Sequence, residues 1–314
     1  MKRKERFLMY LKEKEGEVVV VPADLKQTFQ NKFTLNIGKN EIIKMKMNNV
    51  ITERDIKITK FLFQFKFATA EQIYNYLGED ASKVNLTNRL DKLVKYRVLN
   101  KFMLSEFEQD KIAPDAFEIY CLDLGGRYLL SHYSNEDTSD WYSTINMKSS
   151  EIISKNLLTT DFYIRVMQTC PEKISHFKPE PELRVGKKNV TPSFEMCMKV
   201  NGQTKYFIGE VVREYDFPVY LREKAMKLES LITTNAWKKY YYDSDSSPIL
   251  FILADSDLTA LEASKLLTET TEIRNFRLTT DERIRKELYE TGAFMAYIQD
   301  KDVLQEKKAV TFKP

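Results

Sequence analysis

The clearest hydrophobic rhythm begins at Ile51. In ITERDIKITKFLFQFKF, Thr52 stands where a helix cap belongs, with Asp55 three residues on, and Ile56, Ile58, Leu62 and Phe63 recur at helical spacing. A first helix is predicted there. ATAEQIYNYLG predicts a second, short helix, capped by Thr69, with Ile73, Tyr76 and Leu77 on one face and Gly78 at its stop. DASKVNLTNRLDKLVKYRVL predicts a third, with Val84, Leu86, Leu90, Leu93 and Val94 inward and the basic residues outward. NKFMLS and AFEIYCLD have strand composition and flank a polar stretch, and LGGRYLLSHY closes the segment as a helix. Three helices followed by a two-stranded ribbon is the order of a winged helix-turn-helix.

After a polar, Ser/Thr-rich stretch from Ser134 to Ser150, the rhythm changes. EIISKNLLTTDFYIRVMQ is amphipathic, and TPSFEMCMKV and TKYFIGEVV flank Asn201-Gly202, a pair suited to a type I′ hairpin turn. Then come the helix FPVYLREKAMKLESLIT, the apolar strand PILFILA, the helix TALEASKLLTET, the strand FRLTT, a helix opened by TDERIRKEL and the strand AFMAYIQ. This alternation predicts an α/β domain. The expected organisation is an N-terminal basic arm over 1–50, a winged helix over 51–133, a linker over 134–150, an α/β domain over 151–300 and a tail over 301–314.

Composition narrows the function classes. A 314-residue chain with 43% hydrophobic and 30% charged residues can bury real cores. Its longest apolar runs fall far short of the roughly 20 residues of a membrane span, and its start lacks the features of a secretory signal. A cytoplasmic protein without membrane partners is expected. Three scattered cysteines and two histidines, His132 and His176, give no zinc-ligand spacing and no basis for a Ser-His-Asp or Cys-His enzyme. There is no GxxxxGK[ST] loop and no GxGxxG turn. Any catalysis must rest on carboxylates and lysines.

The net charge of +3 is uninformative, but its distribution is not. Residues 1–50 carry eleven Lys/Arg against six Asp/Glu. Residues 83–101 carry Lys83, Arg89, Lys92, Lys95, Arg97 and Lys101 against Asp91 alone. Two basic patches on a nearly neutral chain are the footprint of a phosphate-backbone contact, although a solvated helix face has the same appearance. Lys83, Asn85, Thr87, Asn88 and Arg89 are the candidates to read base edges, and Lys92, Lys95, Arg97 and Lys101 to hold phosphates. Glu106, Glu108 and Asp110 in the wing would repel phosphates, so its tip is expected away from DNA or disordered.

In the second domain, Thr191-Pro192-Ser193-Phe194-Glu195 and Ile208-Gly209-Glu210-Val211-Val212-Arg213 have the outline of a restriction-endonuclease-like core. Such a core holds a divalent metal with an acid after Pro, a second acid one strand later and a nearby Lys or further acid. Glu210 is well placed. Ser193 and Val212, where the other groups belong, cannot replace carboxylate oxygens as Mg²⁺ ligands. Glu195 and Glu182 are the candidates to stand in. Trp237, Tyr240, Tyr241 and Tyr242 beside Lys238 and Lys239 fit either base stacking or helix packing. Nothing in the sequence activates Tyr163 or a cluster tyrosine as a nucleophile.

The order ITERDIKITKFLFQFKFATAEQIYNYLG, RLDKLVKYRVL, LGGRYLL, TPSFEM, YFIGEVVRE, LREKAMKLESL, PILFILADS and FRLTTDERI resembles the replication-relaxation family of bacterial plasmids and mobile elements. The resemblance covers roughly residues 51–298. It implies a winged helix followed by a restriction-endonuclease-like α/β domain. The family's strand motif is similar to Pro-Asp followed by Glu-Val-Asp-Arg-Gly; Pro192, Glu210, Val211 and Arg213 match it, and Ser193 and Val212 depart from both acidic positions. Arg222, Lys224 and Lys227 match a basic helix that the family also shows. The reading is therefore a sequence-specific double-stranded DNA-binding protein acting in replication, transfer or transcriptional control. It would have a degenerate nuclease-like domain, no cofactor and no metal, and homodimerisation or replication and conjugation proteins as further partners. The alternatives are a relaxase or nickase using Mg²⁺ or Mn²⁺ at Glu210, and an adaptor without DNA contact.

Overall fold

The computed structural model describes residues 25–33, 37–78, 82–105, 118–214 and 217–314. The fold is mixed α/β, in two compact units that meet in sequence at Thr160/Asp161. Among the described residues no helix is long and apolar enough to cross a membrane.

The first unit is built from β1 (Lys26–Phe29), α1 (Lys39–Met47), α2 (Glu53–Phe65), β2 (Phe67–Thr69), α3 (Ala70–Leu77), α4 (Lys83–Lys95), β3 (Leu99–Ser105), β4 (Ile119–Leu122), α5 (Leu124–Tyr133) and the start of α6 (Ser150–Thr169). Its four strands are antiparallel in the order β1-β3-β4-β2. The helix starts follow from sequence. Thr52 Oγ1 accepts from the Asp55 amide while the Asp55 carboxylate accepts from the Thr52 amide, and Thr69 and Gln72 form the same reciprocal box on α3. Phe67, Phe102, Leu104, Ile119 and Cys121 from the sheet meet Ile153 and Leu157 of α6 in one core.

Several boundaries differ from those read in sequence. The first 50 residues are not only an arm, because β1 pairs with β3 and Ile42 of α1 is fully buried. Residues 134–150 are not a linker: Trp141 packs with Leu122 and Leu130, and the Asn146 amide donates to the Leu122 carbonyl at 2.8 Å. Polar composition alone concealed one buried indole. Val84, expected inward, is 72% exposed, because α4 begins at Lys83 and its buried stripe runs through Leu86, Leu90, Leu93 and Val94. The wing tip with Glu106, Glu108 and Asp110 lies outside the described residues.

The second unit takes up α6 at Asp161, so the expected start at 151 falls ten residues early. Its elements are β5 (Ile174–Pro179), β6 (Leu183–Val185), β7 (Lys188–Val190), β8 (Phe194–Val200), β9 (Gln203–Val212), α7 (Val219–Thr233), β10 (Ile249–Ala254), α8 (Asp257–Thr270), β11 (Phe276–Thr280), β12 (Phe294–Ile298) and β13 (Val303–Lys307). The seven-stranded sheet runs β13-β12-β11-β10-β9-β8-β5, with β9, β10 and β11 parallel and the outer pairs antiparallel. Residues 301–314 are no tail, because β13 pairs with β12 and Phe312 is buried. Asp281–Leu288 forms only a single 3-10 turn at Arg283–Arg285 where a helix was expected.

Alternation along β9 separates the two faces of the sheet. Tyr206, Ile208 and Val212 join the core beneath α7 and α8. Phe207 stacks on Phe251 on the other face, where Phe162 of α6 meets Phe194 and Phe251. Gly209 is required here, since a Cβ at this position would lie 2.0 Å from the Phe194 ring of the neighbouring strand. The Asn201-Gly202 turn joining β8 to β9 has both residues at positive φ, 51° and 77°.

Candidate functional site

Helix α4 exposes a stripe of Asn85, Asn88, Lys92 and Lys95, spaced three, four and three residues apart and so sharing one face. Thr87 is also exposed, with its hydroxyl donating to the Lys83 carbonyl at 3.2 Å. Lys83 bridges Glu71 at 3.0 Å and lies over the Tyr74 ring.

Three of the basic residues expected to face DNA are engaged inside the unit. Arg89 grips the fully buried Asp55 through Nε–Oδ1 at 2.9 Å and Nη2–Oδ2, and also donates to the Val50 carbonyl. Burial would raise the Asp55 carboxyl, but hydrogen bonds from Arg89 and from the amide and hydroxyl of Thr52 outweigh it and hold it below the ordinary carboxylate value. Arg97 pairs with buried Asp123 at 2.6 Å, and Lys101 bridges Asp91 at 2.8 Å and Glu118 at 2.5 Å. Burial acts to lower the Lys101 ammonium, and these two acids more than reverse it. Arg89, Arg97 and Lys101 thus tie elements of the unit together.

In the second unit Glu210 is fully buried on the α7 face of β9. By strand register Ser193 stands opposite it, just before β8. Three donors converge on Glu210 Oε1: Lys224 Nζ at 2.7 Å, the Tyr220 hydroxyl at 2.9 Å and the Ser193 hydroxyl at 3.3 Å. Ser193 Oγ itself accepts from the Val211 amide at 3.0 Å, and Lys224 Nζ also donates to the Tyr220 hydroxyl. Glu210 Oε2 is buried without a hydrogen-bond partner. Ser193 therefore orients the carboxylate instead of adding a second one.

The other predicted acids do not join this centre. Glu195, on the same face of β8, accepts from the Tyr241 hydroxyl at 2.8 Å and lies 3.6 Å from His176. Burial, with the Glu195 carboxylate next, pushes the Tyr241 phenol far up. Glu182 is exposed. Arg213, fully buried, donates to both carboxylate oxygens of Asp281 at 2.8 and 2.6 Å. Burial raises the Asp281 carboxyl, with Arg213 opposing. Trp237 and Tyr241 of the aromatic cluster are core residues, whereas Tyr242 is 86% exposed.

A divalent metal does not fit these groups. Among the described residues no set of three or more His, Cys, Asp or Glu is placed to hold one. The single carboxylate at the centre has one oxygen saturated by an ammonium and two hydroxyls, whereas Mg²⁺ requires several oxygen ligands in near-octahedral array.

Sequence reasoning passed over Tyr220 entirely and saw Lys224 only as part of a basic helix. A signal was present: Tyr220 and Lys224 are four apart on α7, and Glu210 shares the two-residue spacing of the inward residues Tyr206, Ile208 and Val212. A carboxylate at an inward strand position demands donors from the helix that covers it.

No protein-family model matches the sequence, and no curated protein matches it. Among solved structures the chain is similar to one described as the structure of restriction endonuclease FokI, at 14% identity and a TM-score of 0.28, over 80% of this chain and 44% of that one. It is also similar to protein VC1899 from Vibrio cholerae, at 10% identity and a TM-score of 0.26, over 83% of this chain and 57% of that one. The chain spans about half the length of either, and both scores are too low to establish a shared fold.

Proposed function

We propose that the chain is a double-stranded DNA-binding protein whose first unit acts as a winged helix-turn-helix with α4 as its recognition helix. The observation that carries this reading is the exposed α4 stripe. Asn85 and Asn88 have amides suited to adenine edges, and Lys92 and Lys95 follow at the positions that would meet phosphates. The order of α2, β2, α3, α4, β3 and β4, with β2 closing on β4, supports the same reading. The resemblance to replication-relaxation proteins extends it to a role in replication, transfer or transcriptional control on a plasmid or mobile element. The second unit then serves as a nuclease-like body for DNA contact, for pairing of two copies or for docking of replication and conjugation proteins.

The experiment is fluorescence anisotropy with labelled duplexes from the protein's own genetic element over a salt series. Binding that weakens linearly in log K against log salt is expected. A flat isotherm with every duplex would overturn the reading. Supercoiled DNA incubated in parallel with Mg²⁺ or Mn²⁺ tests metal-dependent cleavage, for which nicking lost in Glu210→Ala is the required outcome.

A further inference from the structure

The geometry points to a metal-independent phosphodiester-transfer site in the second unit, with Tyr220 as nucleophile, Glu210 as its base and Lys224 as the cation beside both. The choice of a nucleic acid strand as substrate rests on the DNA-binding reading of the first unit; the chemistry of the site does not.

An activated nucleophile is recognised by a base within hydrogen-bond reach and a third group that orients the base. Tyr220 and Glu210 meet this condition at 2.9 Å, and Ser193, itself fixed by the Val211 amide, orients the carboxylate from the opposite strand. Lys224 Nζ contacts the phenol oxygen and lies 4.6 Å from the ring centroid, where an ammonium stabilises a developing phenolate. Glu210 is wholly buried, and its Oε1 is the oxygen that already accepts from the phenol, so the proton passes along an existing hydrogen bond. Tyr220 is only half-buried in the first turn of α7, beside Val219, which is 78% exposed. That turn has no side-chain cap, so its amides add to the local attraction for a phosphate.

The step balances without a co-reactant. The Tyr220 proton passes to Glu210 and the phenol oxygen forms a bond to phosphorus. The phosphorus–oxygen bond to the departing nucleoside breaks, and its alkoxide takes a proton from Lys224. Glu210 then returns its proton to Lys224 across 2.7 Å. The products are a phosphotyrosyl ester and a free hydroxyl.

The test uses the full chain and thymidine 5′-(p-nitrophenyl phosphate), a small phosphodiester with a good leaving group, in the presence of EDTA. A stoichiometric burst of nitrophenolate is expected, with the added nucleotide mass on the peptide containing Tyr220. Tyr220→Phe should abolish both while keeping the far-UV circular dichroism of the parent, and Tyr242→Phe, at an exposed phenol, should retain both. Glu210→Gln should slow the burst by roughly 10²- to 10⁴-fold, the usual worth of a general base. No adduct from folded wild-type protein, or an adduct on another residue, overturns the proposal. Since this probe has no grooves to read, its failure is separable from failure of duplex binding in the anisotropy experiment.

Discussion

Arg89 of α4 reaches back to Asp55, the residue that completes the N-terminal capping box of α2, and closes a two-pronged ion pair on it. One carboxylate therefore caps a helix and anchors a second helix, with its side chain fully buried. That relationship turns the most conspicuous candidate for base recognition into a structural tie.

Arg89→Ala should destabilise the first unit by about 2 to 3 kcal/mol, less than the full cost of orphaning a buried charge because the guanidinium keeps some access to water. The pH dependence has a definite sign. The folded Asp55 carboxyl titrates below its ordinary 3.8, so its contribution is complete above that value and is lost as pH falls through the lowered one. Urea titrations between pH 2 and 7 should show this acid-side loss in the parent and its reduction in Arg89→Ala.

Asn88→Ala and Lys95→Ala should differ in kind. Loss of an amide that reads adenine costs about 1 to 3 kcal/mol and relaxes preference at one position, whereas loss of a phosphate contact weakens all duplexes alike and lowers the salt slope by about one. Anisotropy with matched and mismatched duplexes separates the two. Equal loss across all duplexes in both variants would remove Asn88 from base recognition.

Gly209→Ala places a methyl group inside the Phe194 ring and should cost about 1 to 3 kcal/mol by overpacking. If chemical denaturation shows no loss, the close passage of that ring over β9 is wrong.

Removing one member of the Arg213–Asp281 pair takes from the other the countercharge it contacts directly in the interior. Arg213→Met and Asp281→Leu should each cost about 3 to 5 kcal/mol, and the double variant should cost less than either single. Denaturation midpoints for the four members of the cycle decide it; additive losses would show that the two charges do not depend on each other.

Local features were legible where the cause is local. Thr52 and Asp55, Thr69, and Asn201-Gly202 act within three or four residues of themselves, and each formed the cap or turn its sequence specifies. The apolar run Ile249–Ala254 likewise became a parallel central strand, because a segment covered on both faces must be apolar throughout. The polar stretch around Trp141 misled, since one indole among hydrophilic neighbours suffices to bring a segment into a core. Val84 misled in the opposite way, because a single apolar residue at a helix start does not reveal which side its first turn presents.

Periodicity, capping and turn chemistry in this chain specify helices followed by a strand ribbon in the first half and an α/β second half, because those properties depend on neighbours in sequence. Which charges are free does not. Arg89 and Lys95 are both basic residues of one helix, yet Arg89 is bound by an acid 34 positions away while Lys95 remains in solvent. Glu210 could be placed on a strand from its neighbours, but Tyr220, Lys224 and Ser193 meet its carboxylate only once α7 has packed on the sheet and β8 has paired with β9. The functional character of a charged side chain is set by the partners that burial imposes on it, and those partners come from distant parts of the chain.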